Sequence, residues 1–410
     1  MAAASRRSKI GLALAGGGPV GGIYEVGAMA ALDEALDGAD FTDFGIYVGV
    51  SSGGFIAAAL ANGFGPAKLA RMLVENDSDE IFDPESLLHP AFDEYLKRAL
   101  SLPPLLWSSF RHYLSDPWHL GLFEAFQGLG HAIPAGVLDN TGIDDVLRKL
   151  FSAPGRSNDF RWLKHKLFLV ATDLDSGESV AFGGAGYEHV PISTAVQASA
   201  ALPGLFPPVR IDQRYFVDGA LIKTLHASVA LREGAGLLLC INPLVPFDAV
   251  LAAKRTHRED LTHTPEHLVD GGLPVILSQT FRAIIHSRMR AGMARYREEF
   301  AGADVVLFEP TRDDAEMFFT NVFSYRGRRR LCEHAYQRTR LDLYRRRHEL
   351  APIFARHGIQ LNVPVLKDHR RSLLPDKRHP DLAATASALD AVLHDLECWL
   401  QAQRGAACRV

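Results

Sequence analysis

Apolar residues along this chain gather in short unbroken runs, separated by longer stretches that repeat at helical spacing. The run 9–15 (KIGLALA) predicts a first strand, and 22–37, closed by Gly38, a first helix. A β-branched and aromatic run at 44–50 (FGIYVGV) predicts a second strand, and Ala-rich 53–63 a second helix. Further strands are predicted at 165–174, 214–221, 235–244 and 303–310, with helical segments between several of them. Apolar strands that alternate with helices predict an α/β fold: a mainly parallel sheet sandwiched by helices.

Three stretches leave this rhythm. Residues 84–140 are rich in Leu, Phe, Trp, Pro and Gly with few charges, an apolar helical insertion that reads either as a cap with its own small core or as a lid facing lipid. Residues 326–357 form a strongly basic helical pattern, with arginines at 328–330 and 345–347. A solvated helix face is the commoner origin of such a pattern, an anionic lipid or nucleic-acid surface the rarer one. From 358 to 380 a Pro- and charge-rich linker leads to a last amphipathic helix at 382–403, so the chain divides into a domain over 8–357 and a helical C-terminal extension over 358–410.

Composition narrows the classes. The 410 residues are 47% hydrophobic and 22% charged, which fits a globular protein with a substantial core. A formal net charge of -4 gives no reason to expect nucleic acid. Four cysteines stand far apart without a C-x-x-C pair, which points to a reducing compartment, no disulfide framework and no zinc. Arg6, Arg7 and Lys9 precede an apolar run too short for a signal peptide. No apolar stretch is long enough to predict a membrane span.

Two glycine-rich turns carry the candidate chemistry. Gly16, Gly18 and Gly21 satisfy G-x-G-x-x-G, the spacing of a dinucleotide-binding turn, yet the same loop equally presents bare amides to an oxyanion. The second strand decides between them. A dinucleotide site needs an acid at that strand's end, whereas here the strand runs into Gly49-Val50-Ser51-Ser52-Gly53. This is G-x-S-x-G between a strand and a helix, the setting of an exposed nucleophile; a plain helix cap at Ser51 is the competing reading. In a parallel sheet both turns emerge at the strands' carboxyl edge. For the base, Asp218 in the strand end "FVDGAL" is the economical partner, although a lone Asp-Gly is more often an ordinary turn.

With "ASAALPGLFPPV" at 198–209, these elements resemble the patatin-like phospholipase family: glycine loop, G-x-S-x-G, an A-S-x-A-x-P-x-x-F-P-P block and D-G-A, in order over roughly residues 8–245. The resemblance implies a patatin-like fold, a Ser-Asp dyad with Ser51 as nucleophile and Asp218 as base, and an oxyanion hole from Gly16, Gly17 and Gly18. It also implies acyl esters of lipids as substrates, in the manner of a phospholipase A or lysophospholipase working through an acyl-enzyme. No cofactor or metal is expected; the partners expected are a lipid ester and a membrane surface touched peripherally, from the cytoplasm. One departure stands out: Pro19 and Val20 fill the places where the family loop commonly has a variable and a basic residue. Asp173, in "ATDLDSG", is expected to shape a turn. Two other classes stay open, a Ser-His-Asp esterase using a histidine such as His189 or His263, and a non-catalytic lipid- or partner-binding relative.

Overall fold

The computed structural model describes residues 9–75, 89–90, 136–255, 267–320 and 325–374. Residues 1–371 form one compact unit and 372–410 a second; all described elements lie in the first. Most of the apolar insertion and the whole helix expected at 382–403 fall outside the described residues.

Eight strands make the main sheet: β1 (Lys9–Leu14), β2 (Ile46–Val50), β3 (Lys166–Asp173), β4 (Ser179–Phe182), β5 (Val209–Ile211), β6 (Arg214–Asp218), β7 (Ala235–Ile241) and β8 (Asp304–Phe308). The hydrogen-bonded path runs β8-β7-β1-β2-β3-β6-β5, with β4 also paired to β3. From β8 to β3 every pairing is parallel, while β4, β5 and β6 run antiparallel to their neighbours. The sheet is therefore mostly parallel, and the chain's unbroken apolar runs are its central strands.

Helices cover both faces: α1 (Gly18–Ala35), α2 (Ser52–Ala61), α3 (Ile192–Ser199), α4 (Ala227–Arg232), α5 (Gly272–Glu299), α6 (Tyr325–Arg345) and α7 (Arg347–Arg356). On one face Ala13, Val48, Val170, Leu238 and Cys240 join Ala227, Ala230 and Leu231 of α4 and Met289 and Tyr296 of α5 in a single buried cluster. Side chains one residue along each strand point the other way. There Leu14 and Leu169 meet the glycines that open α2, and α1 packs in turn against α6.

One detail of register shapes the rest. Val170 of β3 pairs with Val50 of β2 on one edge and with Ala181 of β4 on the other. One position on, Ala171 pairs with Val180 of β4 and with Asp218 of β6. Since β4 occupies one edge throughout, β2 and β6 must share the opposite edge, β2 along its first part and β6 along its last. They run in opposite senses, so their carboxyl ends, Val50 and Asp218, meet head to head at adjacent rungs.

Four features differ from expectation. α1 begins at Gly18, not 22, because Pro19 in the first turn is already set for helix and lacks only an N–H that the turn would leave unbonded. β6 stops at Asp218, whose carboxylate accepts the Ala220 amide and starts a 3₁₀ turn, so 219–221 are not strand. Residues 358–371 are not linker: Gln360–Leu361 pairs with Leu36–Asp37, and the short helix Val363–Lys367 packs on α1 and α6. Nor is the basic segment a uniformly solvated face. Arg328 and Arg340 are buried and donate to backbone carbonyls, Arg340 to those of Val365 and Asp368 at 2.7 Å each.

The α1–α6 contact has no spare volume. A Cβ on Gly27 would lie 2.2 Å from the Cys332 carbonyl oxygen, which is backbone and cannot step aside. Gly27→Ala is expected to lower folding stability by about 1–3 kcal/mol in denaturant titration; unchanged stability would contradict this close approach.

Candidate active site

The turn after β2 is shaped by what surrounds it. Ser51 holds φ 54 and ψ -124, a conformation unusual for a residue with a side chain, at a typical cost of about 1–3 kcal/mol. The glycines of G-x-S-x-G have separate jobs. A Cβ on Gly49 would meet the Gly53 carbonyl oxygen at 2.4 Å, and one on Gly53 the Ala15 carbonyl oxygen at 2.5 Å. The start of α2 is thereby pressed against the end of β1. The Ser51 hydroxyl makes no capping bond to α2, so it is not serving as a helix cap.

Ser199, at the end of α3, secures this turn. Its hydroxyl accepts the Ser51 N–H at 2.9 Å and donates to the Val170 carbonyl at 2.6 Å. Nothing in residue spacing marked Ser199 for this task; the only signal was its place inside the A-S-x-A-x-P-x-x-F-P-P block. The same block fixes the opposite strand end, because the Ala201 carbonyl accepts the Asp218 N–H at 2.9 Å. Gly219 follows Asp218 because a Cβ there would lie 2.3 Å from the Val170 carbonyl oxygen.

Asp218 is 3% exposed. Burial raises its pKa to about 6 by penalising the charged form; hydrogen bonds from the Ala220 amide and the Ser51 hydroxyl pull it partly back. The structure thus brings together the two side chains singled out from remote parts of the sequence. Among the described residues no histidine hydrogen-bonds to either. His226 is buried, with its pKa lowered to about 4 chiefly by desolvation, and its Nε2 lies 3.5 Å from the Gly219 carbonyl oxygen. His189 pairs with Asp212 at the surface, and His263 lies outside the described residues. Asp173 accepts the amides of Asp175 and Ser176 and the Arg214 guanidinium, the bonding of a turn residue.

The glycine loop borders this pair. A Cβ on Gly16 would sit 3.1 Å from the Ser51 Cβ and 3.0 Å from the Ala220 Cβ, so the loop backbone lies directly against both strand ends. Of the three glycines assigned to an oxyanion hole, Gly16 donates its amide to the Thr224 carbonyl at 3.3 Å. The Gly17 and Gly18 amides make no hydrogen bond among the described residues. Gly18 takes φ 60, and Gly17 is wedged against Pro243, which a Cβ would approach to 2.7 Å. Neither α1 nor α2 has an acid in its first turn, so both direct positive dipole ends at this edge. No group of three or more His, Cys, Asp or Glu side chains among the described residues could hold a metal ion.

Comparisons with known proteins show the family. A cGAMP-activated phospholipase of Pseudomonas aeruginosa is 25% identical over 228 residues, 54% of this chain and 55% of that one. An uncharacterized NTE family protein of Mycobacterium tuberculosis is 27% identical over 113 residues, 27% of this chain and 18% of that protein. The chain thus spans little more than half, or far less, of these relatives' lengths. Among solved structures, the type III effector protein ExoU aligns over 81% of this chain and 52% of its own at 16% identity, with a TM-score of 0.33. VipD from Legionella pneumophila aligns over 60% and 52% at 18% identity, with a TM-score of 0.31. The family model described as Patatin-like phospholipase matches residues 12–231, over half of the 410, and the chain belongs to that family.

Proposed function

We propose that this protein hydrolyses acyl esters of lipids with Ser51 as nucleophile and Asp218 as its base, in the manner of a phospholipase A or lysophospholipase. The observation that carries the reading is a buried carboxylate at the strand end facing Ser51, its pKa raised to about 6 and drawn partly back by the Ser51 hydroxyl, beside backbone amides unbonded among the described residues. Asp218 is then largely ionised at neutral pH yet far more basic than an ordinary aspartate, which suits a general base.

Attack by the Ser51 oxygen on the ester carbonyl transfers the hydroxyl proton to Asp218 and creates a tetrahedral oxyanion. The amides of Gly17 and Gly18 face that charge; Gly16 supports the loop through Thr224 rather than donating. The leaving alcohol departs with the proton from Asp218, and Ser51 carries the acyl group. Water then attacks, Asp218 takes its proton, and collapse of the second intermediate returns a proton to the Ser51 oxygen as the fatty acid leaves. Removing one oxyanion donor typically costs on the order of 3 kcal/mol in the transition state. Apolar side chains favour a lipid over a polar ester. Leu202 and Leu205 are exposed on the loop that anchors Asp218, and Val137 is exposed where its amide bonds to Gly204 of that loop.

Ser51→Ala and Asp218→Asn are each expected to lower kcat for ester hydrolysis by about a thousandfold or more while folding normally. A fluorophosphonate probe should label the parent chain at Ser51; an unlabelled parent would favour a non-catalytic relative. In the parent, kcat/KM should climb as pH rises through about 6, where Asp218 ionises.

Stability should move the opposite way. Unfolded, the Asp218 carboxyl ionises near the ordinary value of about 4; folded, it ionises near 6. Between these values the folded state holds a proton that the unfolded state has released, so stability falls as pH rises through the window, by up to about 3 kcal/mol. Asp218→Asn should therefore match the parent in acid and exceed it above pH 6, as read from denaturation midpoints across pH. Ser199→Ala leaves the buried Ser51 amide without an acceptor and should cost about 1–3 kcal/mol in stability, with kcat falling as the turn relaxes.

A further inference from the structure

α5 is the longest helix among the described residues, and its two halves live in different surroundings. Its second half is core: Met289 and Tyr296 belong to the buried cluster beneath the sheet. At its middle it is fastened to the loop that leaves β7. Gln279 donates to the Phe247 carbonyl at 2.6 Å and accepts the Phe247 amide at 3.0 Å, and Arg282 donates to the Val245 carbonyl. That loop also carries Pro243, which is packed on Gly17 and Gly21 of the glycine loop. The helix therefore reaches the sheet's carboxyl edge, where Ser51 and Asp218 lie, at about 279–282, and residues 272–278 extend past that crossing.

From the start of the helix to just past the crossing, one face is apolar and exposed. Leu273 is 65% exposed, Leu277 46%, Phe281 50% and Ile284 51%, with Ile276 beside them. The positions 273, 277, 281 and 284 recur at helical spacing, so they line one face, about 16 Å long at 1.5 Å per residue. Clustered exposed apolar side chains of this size mark an interaction surface. The charges that follow identify the partner. Between Gly272 and Arg297 the helix contains no acid, and Arg288 is exposed one turn behind Ile284 on the same face, with Arg290 exposed on the other side of the helix. An apolar stripe followed by cations on an acid-free helix suits the boundary of an anionic lipid surface, where the stripe enters the acyl region and Arg288 and Arg290 reach phosphates.

We propose that the first half of α5 is an interfacial anchor that seats the protein on anionic lipid surfaces and holds the Ser51–Asp218 edge toward its substrate. The proposal rests on the lipid-hydrolase reading for its purpose, though lipid binding can be measured apart from catalysis. Flotation with vesicles of phosphatidylcholine alone, or mixed with phosphatidylglycerol, is done with the full chain carrying Ser51→Ala. Binding should favour the anionic vesicles and weaken with salt. Adding Phe281→Ser and Ile284→Ser, both at exposed positions, should reduce it at least about tenfold. With Ser51 intact, the same pair should slow hydrolysis of vesicle phospholipid while leaving hydrolysis of a soluble short-chain ester unchanged.

A chain carrying Leu277→Trp, compared with the parent, should shift its emission to the blue only when anionic vesicles are added. Equal vesicle binding by the serine variants, or an equal loss on the soluble ester, would overturn the proposal. So would emission from the introduced tryptophan that is blue before lipid is added, since the face would then be covered by residues of this chain or by a second copy. A parent chain inactive on both esters would refute the hydrolase reading and leave the flotation result to decide the anchor.

Discussion

The structure turns on one buried charge. A carboxylate withdrawn from water is costly, and here Asp218 recovers part of its solvation only from the Ala220 amide and the Ser51 hydroxyl. The compromise makes the group basic: enough support to ionise near neutrality, too little to stay ionised in acid. More donors around Asp218 would stabilise the fold and lower the carboxylate's pKa. Fewer would leave it protonated at neutral pH. The same desolvation therefore sets both its chemistry and its cost to stability.

That balance depends on bringing two distant chain segments together at adjacent rungs of β3. A wholly parallel sheet places successive strand ends side by side on different edges of their neighbours. Here β6 runs backwards along the same edge of β3 that β2 leaves, so the two ends point at each other. Small groups make the meeting fit. Gly219 passes the Val170 carbonyl, Gly16 rests on Ser51 and Ala220, and Gly49 and Gly53 let α2 start at the sheet. Ser199 and Ala201 tie the junction from the third side with one hydroxyl and one carbonyl. The strain at Ser51 is thus held by an amide bond and by packing on several sides.

Much of this was legible in the chain, and the limits of legibility have physical causes. Buried parallel strands announce themselves as unbroken apolar runs, so β1, β2, β3, β7 and β8 were readable to within a few residues. The tight turn at Ser51 was readable because its flanking glycines answer a local steric demand. The pairing of Ala171 with Asp218 was not: antiparallel register between segments tens of residues apart is decided by packing, and a strand-ending Asp-Gly made 218 an economical candidate for 51 without fixing their meeting. Ser199 escaped for a related reason, since one hydroxyl bonding two backbones leaves no periodic trace. The buried arginines of α6 also looked like surface, because sequence cannot tell a guanidinium in water from one capping carbonyls.

The departure at residues 19 and 20 is where structure and sequence inform each other most. A loop lacking the family's usual cation needs its anchoring and its positive potential from elsewhere. Anchoring comes from backbone and packing: Gly16 on the Thr224 carbonyl, the Gly21 amide on the Gly17 carbonyl at 3.0 Å, and Pro243 wedged against Gly17 and Gly21. Pro19 helps by fixing the first turn of α1 early, so that Gly17 and Gly18 end a strand-to-helix turn instead of spanning a loose one. Positive potential comes from two helix N-termini directed at one edge, neither with an acid in its own first turn. A neutral residue at 20 is therefore compatible with a charged intermediate, because this loop draws its electrostatics from peptide dipoles.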